Sequence, residues 1–538
     1  MPRSLHSAVS TDPAGDDPSG SRGEPLSARE LQHRAISGSL WTALHVVVSV
    51  PIAFVANAVI ARTLGVTKYG GLAFVTATLA VVAGAANLGV TTATIQFGSQ
   101  AEAQGDRART DRLLRSMTGY QLMLELPVLI VVIAALTRHH SLWILAILVV
   151  GEVLSVGFAA ATATLSIENR VASSARVAIV ANVFMQTGSV AVATITHSPT
   201  AVWATRILLL GLQTPFSWIL LDRKRKSLVL HPRLPRGLGR AYWRFGLYAC
   251  GAGLVGMLVF SRSEIFILRA LDRTHALGIF ALAFGISQQI TAPADAMLNA
   301  LIPATAGLLS RSPEMAAGAL ARAIRVSATV VGLITATALP ALIFAIPAIY
   351  GHQYSTAAWA LLPLALVSCF QTVNNPVGAF MSARLRSDLV LRTNLVALGT
   401  DAVLAFGLIP PFGLWGAIAA NAGAQLVSVI VLAAIEARQS NLGVAGLVRC
   451  FLPFAVGVAA MGLSVGSGVA ARSAGGATAG VVCSVLVGAL AFTVGLRLTR
   501  EGLQESDRAA IDRALSGPLR RLAKRPLDLL SSRSRVVA

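Results

Sequence analysis

Ile60-Ala61-Arg62-Thr63-Leu64-Gly65-Val66-Thr67-Lys68-Tyr69-Gly70-Gly71-Leu72-Ala73 lies between the first two apolar stretches of the chain. A looser copy follows some 200 residues later, at Leu268-Arg269-Ala270-Leu271-Asp272-Arg273-Thr274-His275-Ala276-Leu277-Gly278-Ile279-Phe280-Ala281. In both, a long apolar helix ends on Arg and Leu, a short polar elbow follows, and a Gly-x-x-Ala step opens the next apolar helix. An elbow repeated at that separation marks a duplicated helix bundle, the plan of many secondary transporters.

Composition sets the class. The chain is 55% hydrophobic and 13% charged, with a mean hydropathy of +0.69, too apolar for a soluble protein of 538 residues. It reads as an all-α polytopic membrane protein. Residues 1–37 are polar and rich in Pro, Gly, Ser and Asp, which predicts a disordered cytoplasmic tail and no cleavable secretory signal. The net charge of +20 does not imply nucleic acid, because its 44 basic residues, 40 of them Arg, follow the membrane topology. Cys250, Cys369, Cys450 and Cys483 sit in apolar helices without metal-ligand spacing and read as small buried hydrophobes, with no disulfide. No metal or other cofactor is expected.

Apolar runs of about 20 residues, each able to cross roughly 30 Å of hydrocarbon, recur along the chain. About fourteen are expected: 38–61, 70–97, 117–136, 142–165, 176–196 and 200–221; then 243–270, 277–305, 324–347, 355–381, 390–410 and 413–436; and finally 449–470 and 477–496. This predicts two six-helix lobes related by a pseudo-two-fold repeat, 38–221 and 243–436, joined by a basic linker, 222–242. Two C-terminal helices within 437–496 and a basic cytoplasmic tail, 497–538, complete the chain. With both termini inside, about 36 of the 44 basic residues fall on the cytoplasmic side, in clusters such as Arg107/Arg109/Arg112/Arg115, Arg223/Lys224/Arg225/Lys226 and Arg520/Arg521/Lys524/Arg525. The linker is expected to lie against anionic lipid headgroups. In the elbow, Gly65 and Gly70 permit a tight reversal, Tyr69 suits the interface, and Arg62 and Lys68 are placed for headgroups.

Several segments together resemble the polysaccharide flippase branch of the multidrug/oligosaccharidyl-lipid/polysaccharide (MOP) exporter superfamily. They are Gly38-Ser39-Leu40-Trp41, the Ala61–Ala73 elbow, Asn87-Leu88-Gly89, Tyr350-Gly351-x2-Tyr354-x2-Ala357, and Pro410-Pro411-Phe412-Gly413-Leu414-Trp415-Gly416-Ala417. The likeness spans roughly residues 35–440. It implies two lobes around a central cavity and an alternating-access flippase, not an enzyme. Such a flippase moves a polyprenyl-(pyro)phosphate-linked saccharide across the bacterial cytoplasmic membrane for cell-surface polysaccharide synthesis. Its expected partners are the lipid-linked saccharide, anionic membrane lipids and polysaccharide-assembly glycosyltransferases.

Ionisable groups at membrane depth are costly and mark function. The leading candidates for a substrate cavity are Arg262 and Glu264 in the seventh span, with Arg206 in the sixth, since a guanidinium can grip phosphate bidentately. Gln288, Gln289, Asn299 and Asn374 are placed to exchange hydrogen bonds with sugar hydroxyls. Glu125, Glu152, Asp295 and Asp401 are candidates for a coupling cation or for ion pairs, and a structural ion pair is the competing reading of Arg262 itself. No G-x-x-x-x-G-K loop is present, and His139-His140 reads as an exposed turn. Two alternatives stay open: a cation-coupled multidrug or metabolite exporter of the same superfamily, and a lipid II flippase.

Overall fold

A computed structural model describes residues 28–229, 231–235, 238–259, 263–299, 313–383, 387–439, 443–499, 502–504 and 507–508. Among these the chain is helical almost throughout. The first half comprises α1 (Ala28–Leu64), α2 (Val66–Asn87), α3 (Val90–Ala103), α4 (Arg107–Tyr120), a π turn (Gln121–Glu125), α5 (Leu126–Thr137), α6 (Leu142–Gly157), α7 (Ala159–Ile167), α8 (Val171–Thr196), α9 (Pro199–Ile219) and α10 (Arg223–Val229). The second half has α11 (Arg240–Met257), α12 (Ser263–Ala270), α13 (Thr274–Asn299), α14 (Pro313–Tyr350), α15 (Ser355–Ala383), α16 (Ser387–Phe412), α17 (Leu414–Gln439) and α18 (Gly443–Thr499).

Among the described residues eleven segments are long and apolar enough to cross a membrane. The last of them, α18, is two helices meeting at Gly475 and Gly476, where φ/ψ of 75°/−168° at Gly476 breaks the hydrogen-bond ladder. With α9 and the α11–α12 pair in the places expected of spans six and seven, the polytopic reading holds. Two expected spans are interrupted. The second stops at Leu88 and Gly89, both left-handed (φ 46° and 72°), before the apolar run ends. The fourth breaks at Phe158 (φ −107°, ψ 9°). Apolar composition continues through each break, so hydropathy does not register it.

One end of the bundle carries the elbows and the other the basic connections. On the elbow face the two copies do matching work. Lys68 donates from Nζ to the His197 carbonyl (3.2 Å), closing the C-terminus of α8. Arg273 donates from Nη1 to the Ile409 carbonyl (3.0 Å) and from Nη2 to the Pro410 carbonyl (2.6 Å), closing that of α16. Each elbow thus supplies a cation to the carbonyl end of the fifth helix of its own lobe, where the helix dipole is negative. The Ile409 and Pro410 carbonyls belong to the last turn of α16, where Ile409 also accepts from the Gly413 N–H (2.8 Å). Both Lys68 and Arg62 are exposed on this face.

Gly65 takes the elbow's positive φ (75°), and Asp272 takes it in the second copy (φ 54°). Gly70, expected to help the reversal, serves another purpose. It lies in the first turn of α2, packed against the first turn of α13: a Cβ there would stand 2.8 Å from the Gly278 nitrogen and 2.8 Å from the Thr274 carbonyl. Reciprocally, a Cβ on Gly278 would overlap the Val66 carbonyl. The duplicated elbow glycines are the backbone-to-backbone contact between lobes. At the other end of α2, Gly89 meets the Gly246 carbonyl of α11 in the same way. Nineteen residues, about 28 Å of helix rise, separate the two contacts, so α2 is pinned to the second lobe near both membrane faces. The Tyr350–Tyr354 junction joins the elbow contact: Tyr354 donates to the Ala61 carbonyl (3.1 Å) and meets Tyr69 edge-on at 6.4 Å, and Phe54 meets Tyr350 at 5.8 Å.

Gly70→Val and Gly278→Val are expected to destabilise the purified protein by about 1–3 kcal/mol, because rigid backbone must yield. Gly71→Ala, whose Cβ meets nothing within 4 Å, is expected to be neutral or to stabilise by up to about 1 kcal/mol. Thermal unfolding in detergent checks the contrast. Equal Tm for all three variants would exclude a tight contact.

On the basic face the linker is docked. Arg225 of α10 engages Glu102 (2.9 Å), Glu168 (3.2 Å) and Asp111, while Trp218 donates to the Lys226 carbonyl (3.1 Å) and the Arg233 N–H to the Arg115 carbonyl (3.1 Å). Among the described residues Arg223, Lys224, Arg233 and Arg240 are the exposed cations of the linker left for headgroups. Burial holds the Glu168 carboxyl above its ordinary range, against the opposing pull of Arg225 and Arg170. A carboxyl raised in this way contributes stability at low pH that is lost as pH rises. Arg225→Ala removes the main opposing charge, so its Tm deficit relative to wild type should widen from pH 4.5 to pH 8. A deficit that does not change with pH would contradict this.

Candidate functional site

The side chains singled out in the sequence fall into four groups. Arg262 lies outside the described residues, as does the Asn299 side chain. The Arg262 reading therefore passes to its neighbours.

The first group surrounds Arg206 on α9, seven residues or about 10 Å below the helix start at the elbow face. Its Nη2 donates to Asn57 Oδ1 on α1 (2.8 Å), and Tyr69 of the elbow lies beside it. Its Nε is enclosed without a hydrogen bond to the described residues. None of the ion pairs among the described residues includes Arg206. It is a guanidinium at membrane depth with donors to spare. Every other described arginine in an ion pair sits on the basic face.

The second group pairs Glu264 on α12 with Asp401 on α16. Glu264 is 0% exposed and neither carboxyl oxygen has a hydrogen-bond partner among the described residues; Asp401 is 1% exposed with Oδ1 likewise unpartnered. Asp401, Asn421 and Ser263 surround the Glu264 carboxyl, and Asn421 is held by Gln425, which donates to its Oδ1 at 2.6 Å. No basic side chain among the described residues pairs with either acid. Two facing carboxyls in an apolar interior cannot both carry charge unaided, so the arrangement suits a shared proton or a bound monovalent cation.

The third group is a like pair in the first lobe. Glu125 ends the π turn, a local widening of the helix that re-aims its side chains, and accepts from Asn87 Nδ2 at 2.9 Å. Glu152 of α6 lies next to it. The fourth group is a polar seam where α13 meets α15. Asn375 donates to Asp295 Oδ1 (2.7 Å), with Thr291 and Thr372 alongside. Elsewhere on these two helices, both amide atoms of the fully buried Asn374 lack partners among the described residues, as do Gln289 Oε1, Gln371 Oε1 and Ser368 Oγ. Gln288 is exposed and stands apart from the seam.

The carboxylates that a linear reading could only enumerate thus sort into two facing pairs, one per lobe, and one amide-bound acid. Sequence reasoning passed over Asn87, Asn421, Gln371 and Ser368. Asn87 carried a signal, being part of a motif at a helix end, but that motif pointed to a turn. Among the described residues no cluster of His, Cys, Asp and Glu could hold a metal, and Arg138 and His139 bond one another on an exposed turn.

A family model described as a polysaccharide biosynthesis protein matches residues 59–359. No curated protein matches the chain. Among solved structures, an inward-facing multidrug resistance MATE family transporter of the MOP superfamily superposes with a TM-score of 0.52 at 17% identity, covering 71% of this chain and 92% of its own. The lipid II flippase MurJ, in an inward closed conformation, gives 0.51 at 13% identity over 84% and 98%. A MOP superfamily transporter from Pyrococcus furiosus Vc1 gives 0.50 at 15% identity over 80% and 99%. At such identities the likeness is one of fold.

Proposed function

This chain belongs to the polysaccharide biosynthesis protein family and carries the MOP transporter fold, and from that premise we propose that it flips a polyprenyl-(pyro)phosphate-linked saccharide across the cytoplasmic membrane. One observation carries the reading: Arg206 is a guanidinium inside the first lobe with no carboxylate partner among the described residues and an enclosed Nε that makes no hydrogen bond to them. Such a group is costly to keep at membrane depth and is matched by a phosphate, which accepts two parallel N–H bonds and supplies the missing charge. The unpartnered amides of α13 and α15 offer donors and acceptors for sugar hydroxyls. The Glu264–Asp401 pair is where a coupling cation would act. With the basic face in the cytoplasm, substrate enters from the side bearing α10 and leaves toward the elbows.

Export of an organic cation is the second reading, favoured by the two carboxylate pairs. An unpaired guanidinium in the transport lobe argues against it, since it repels such a cargo. The readings separate in proteoliposomes. A polyprenyl-diphosphate-linked saccharide loaded in the inner leaflet should become accessible to an external glycosidase only when the protein and an ion gradient are both present. Accumulation of cationic dye with no change in saccharide accessibility would sink the flippase reading. A saccharide series ending in lipid II tests the remaining alternative.

A further inference from the structure

Behind the last membrane helix, Asp507 is 0% exposed and lies between two arginines of α14. Arg325 donates from Nε to Oδ2 and from Nη2 to Oδ1, each at 3.1 Å, the parallel fork by which guanidinium grips carboxylate or phosphate. Arg322, one turn earlier on the same face, has its Nε 3.4 Å from Oδ1. Among the described residues two guanidinium groups face one carboxylate, and the Arg322 side chain is 40% exposed, open to an incoming group.

Depth indicates what could come in. α14 has 38 residues and rises about 57 Å, far more than the roughly 30 Å of apolar core. Counted from Tyr350 at the elbow face, Arg325 lies 25 residues or about 37 Å down, and Arg322 28 residues or about 42 Å. Both are past the hydrocarbon and within the headgroup layer of the leaflet at the basic face, whose total span is roughly 40–45 Å. Arginines at that level meet lipid phosphates.

We propose that Arg322 and Arg325 form a binding site for a phosphate-headed lipid, and that Asp507 is its built-in occupant, displaced when such a lipid arrives. Gln504 N–H donates to Asp507 Oδ2 (3.1 Å) and Asp507 N–H to the Gln504 carbonyl (3.0 Å), both beyond the end of α18 at Thr499. Displacing the Asp507 carboxylate therefore does not require unravelling a membrane helix. A phosphate or diphosphate brings more acceptor oxygens and more negative charge than the carboxylate, matching both arginines. Downstream in the sequence, Arg520, Arg521, Lys524 and Arg525 supply charge that is drawn to an anionic surface.

The test uses the full-length protein in phosphatidylcholine nanodiscs, with farnesyl diphosphate, phosphatidylglycerol and inorganic pyrophosphate as probes in a direct binding assay. Asp507→Asn should tighten farnesyl diphosphate binding by about tenfold or more, because a tethered competitor acts at an effective concentration in the millimolar range. Adding Arg322→Gln and Arg325→Gln to Asp507→Asn should erase the gain without stranding a buried charge. A gain for both lipids but not for pyrophosphate supports a headgroup site read at the membrane surface. A gain confined to farnesyl diphosphate assigns it to the substrate carrier. Unchanged affinity for all three probes, with Asp507→Asn merely lowering Tm, would reduce the contact to a staple and overturn the proposal. Only the choice of a prenyl diphosphate rests on the flippase reading: lost saccharide flipping with intact phosphate binding would sink that reading and leave this site standing.

Discussion

Arg206→Gln is expected to lower flipping of a lipid-linked saccharide by on the order of 10²-fold while leaving the protein as stable as wild type or more so. The two signs follow from one cause. Arg206 has no carboxylate partner among the described residues, so the fold gains no ion-pair energy from it and bears the cost of holding a cation at membrane depth. Gln keeps a donor for Asn57 Oδ1, now served by Nη2 at 2.8 Å, so no acceptor is orphaned. Arg206→Met removes that donor as well, and its stability should fall below the Gln variant by about 1 kcal/mol. Arg206→Lys keeps the charge but loses the planar fork, and should raise KM more than it lowers kcat. Flipping and Tm measured on the same preparations decide the matter. A Gln variant that transports normally takes Arg206 out of the substrate path. One that melts well below wild type makes it structural.

Glu264→Gln and Asp401→Asn should each abolish stabilisation by sodium, weaken stabilisation by acidity and uncouple flipping from the ion gradient. In wild type a ligand bound only by the native state adds about 2.7 kcal/mol at one hundred times its Kd. Tm should therefore climb with sodium concentration or with acidity, whichever ion the pair takes, and choline at constant pH should have no such effect. Either substitution leaves one carboxyl facing an amide, with no second charge for a sodium ion to balance, so a sodium response should vanish and a response to acidity should weaken while basal Tm holds or rises. Glu152→Gln, in the corresponding pair of the first lobe, is the control for position. Ion responses that persist undiminished in both second-lobe variants would place coupling elsewhere, with Glu125 and Glu152 next in line.

Membership of the fold was legible because its signals are local. Apolar runs, arginines at their ends and turn residues such as Gly65 (φ 75°), Gly351 (φ 99°) and Gly413 (φ 58°) announce helices and reversals one segment at a time. The role of Gly70 was not legible in the same way. Its neighbour Gly71 looks identical in sequence, yet one glycine touches Gly278 and the other touches nothing. The carboxylates show the same limit: nothing in their spacing says that Glu264 faces Asp401, 137 positions away, or that Asp295 is bound by Asn375. The bond from Lys68 was equally illegible, since the His197 carbonyl it serves becomes its neighbour only when α8 closes onto the elbow.

What the sequence by itself determined is the class, the duplicated bundle and the residues worth testing, because transfer of apolar helices into hydrocarbon depends on composition alone. Only the tertiary structure decided which of those residues meet. Each helical residue turns about 100°, and lipid-facing and protein-facing sides of a membrane helix are both apolar, so hydropathy cannot report the rotation that sets one buried charge against another. That rotation leaves Arg206 without an acid, gives Glu264 a second one, and puts Asp507 between two arginines.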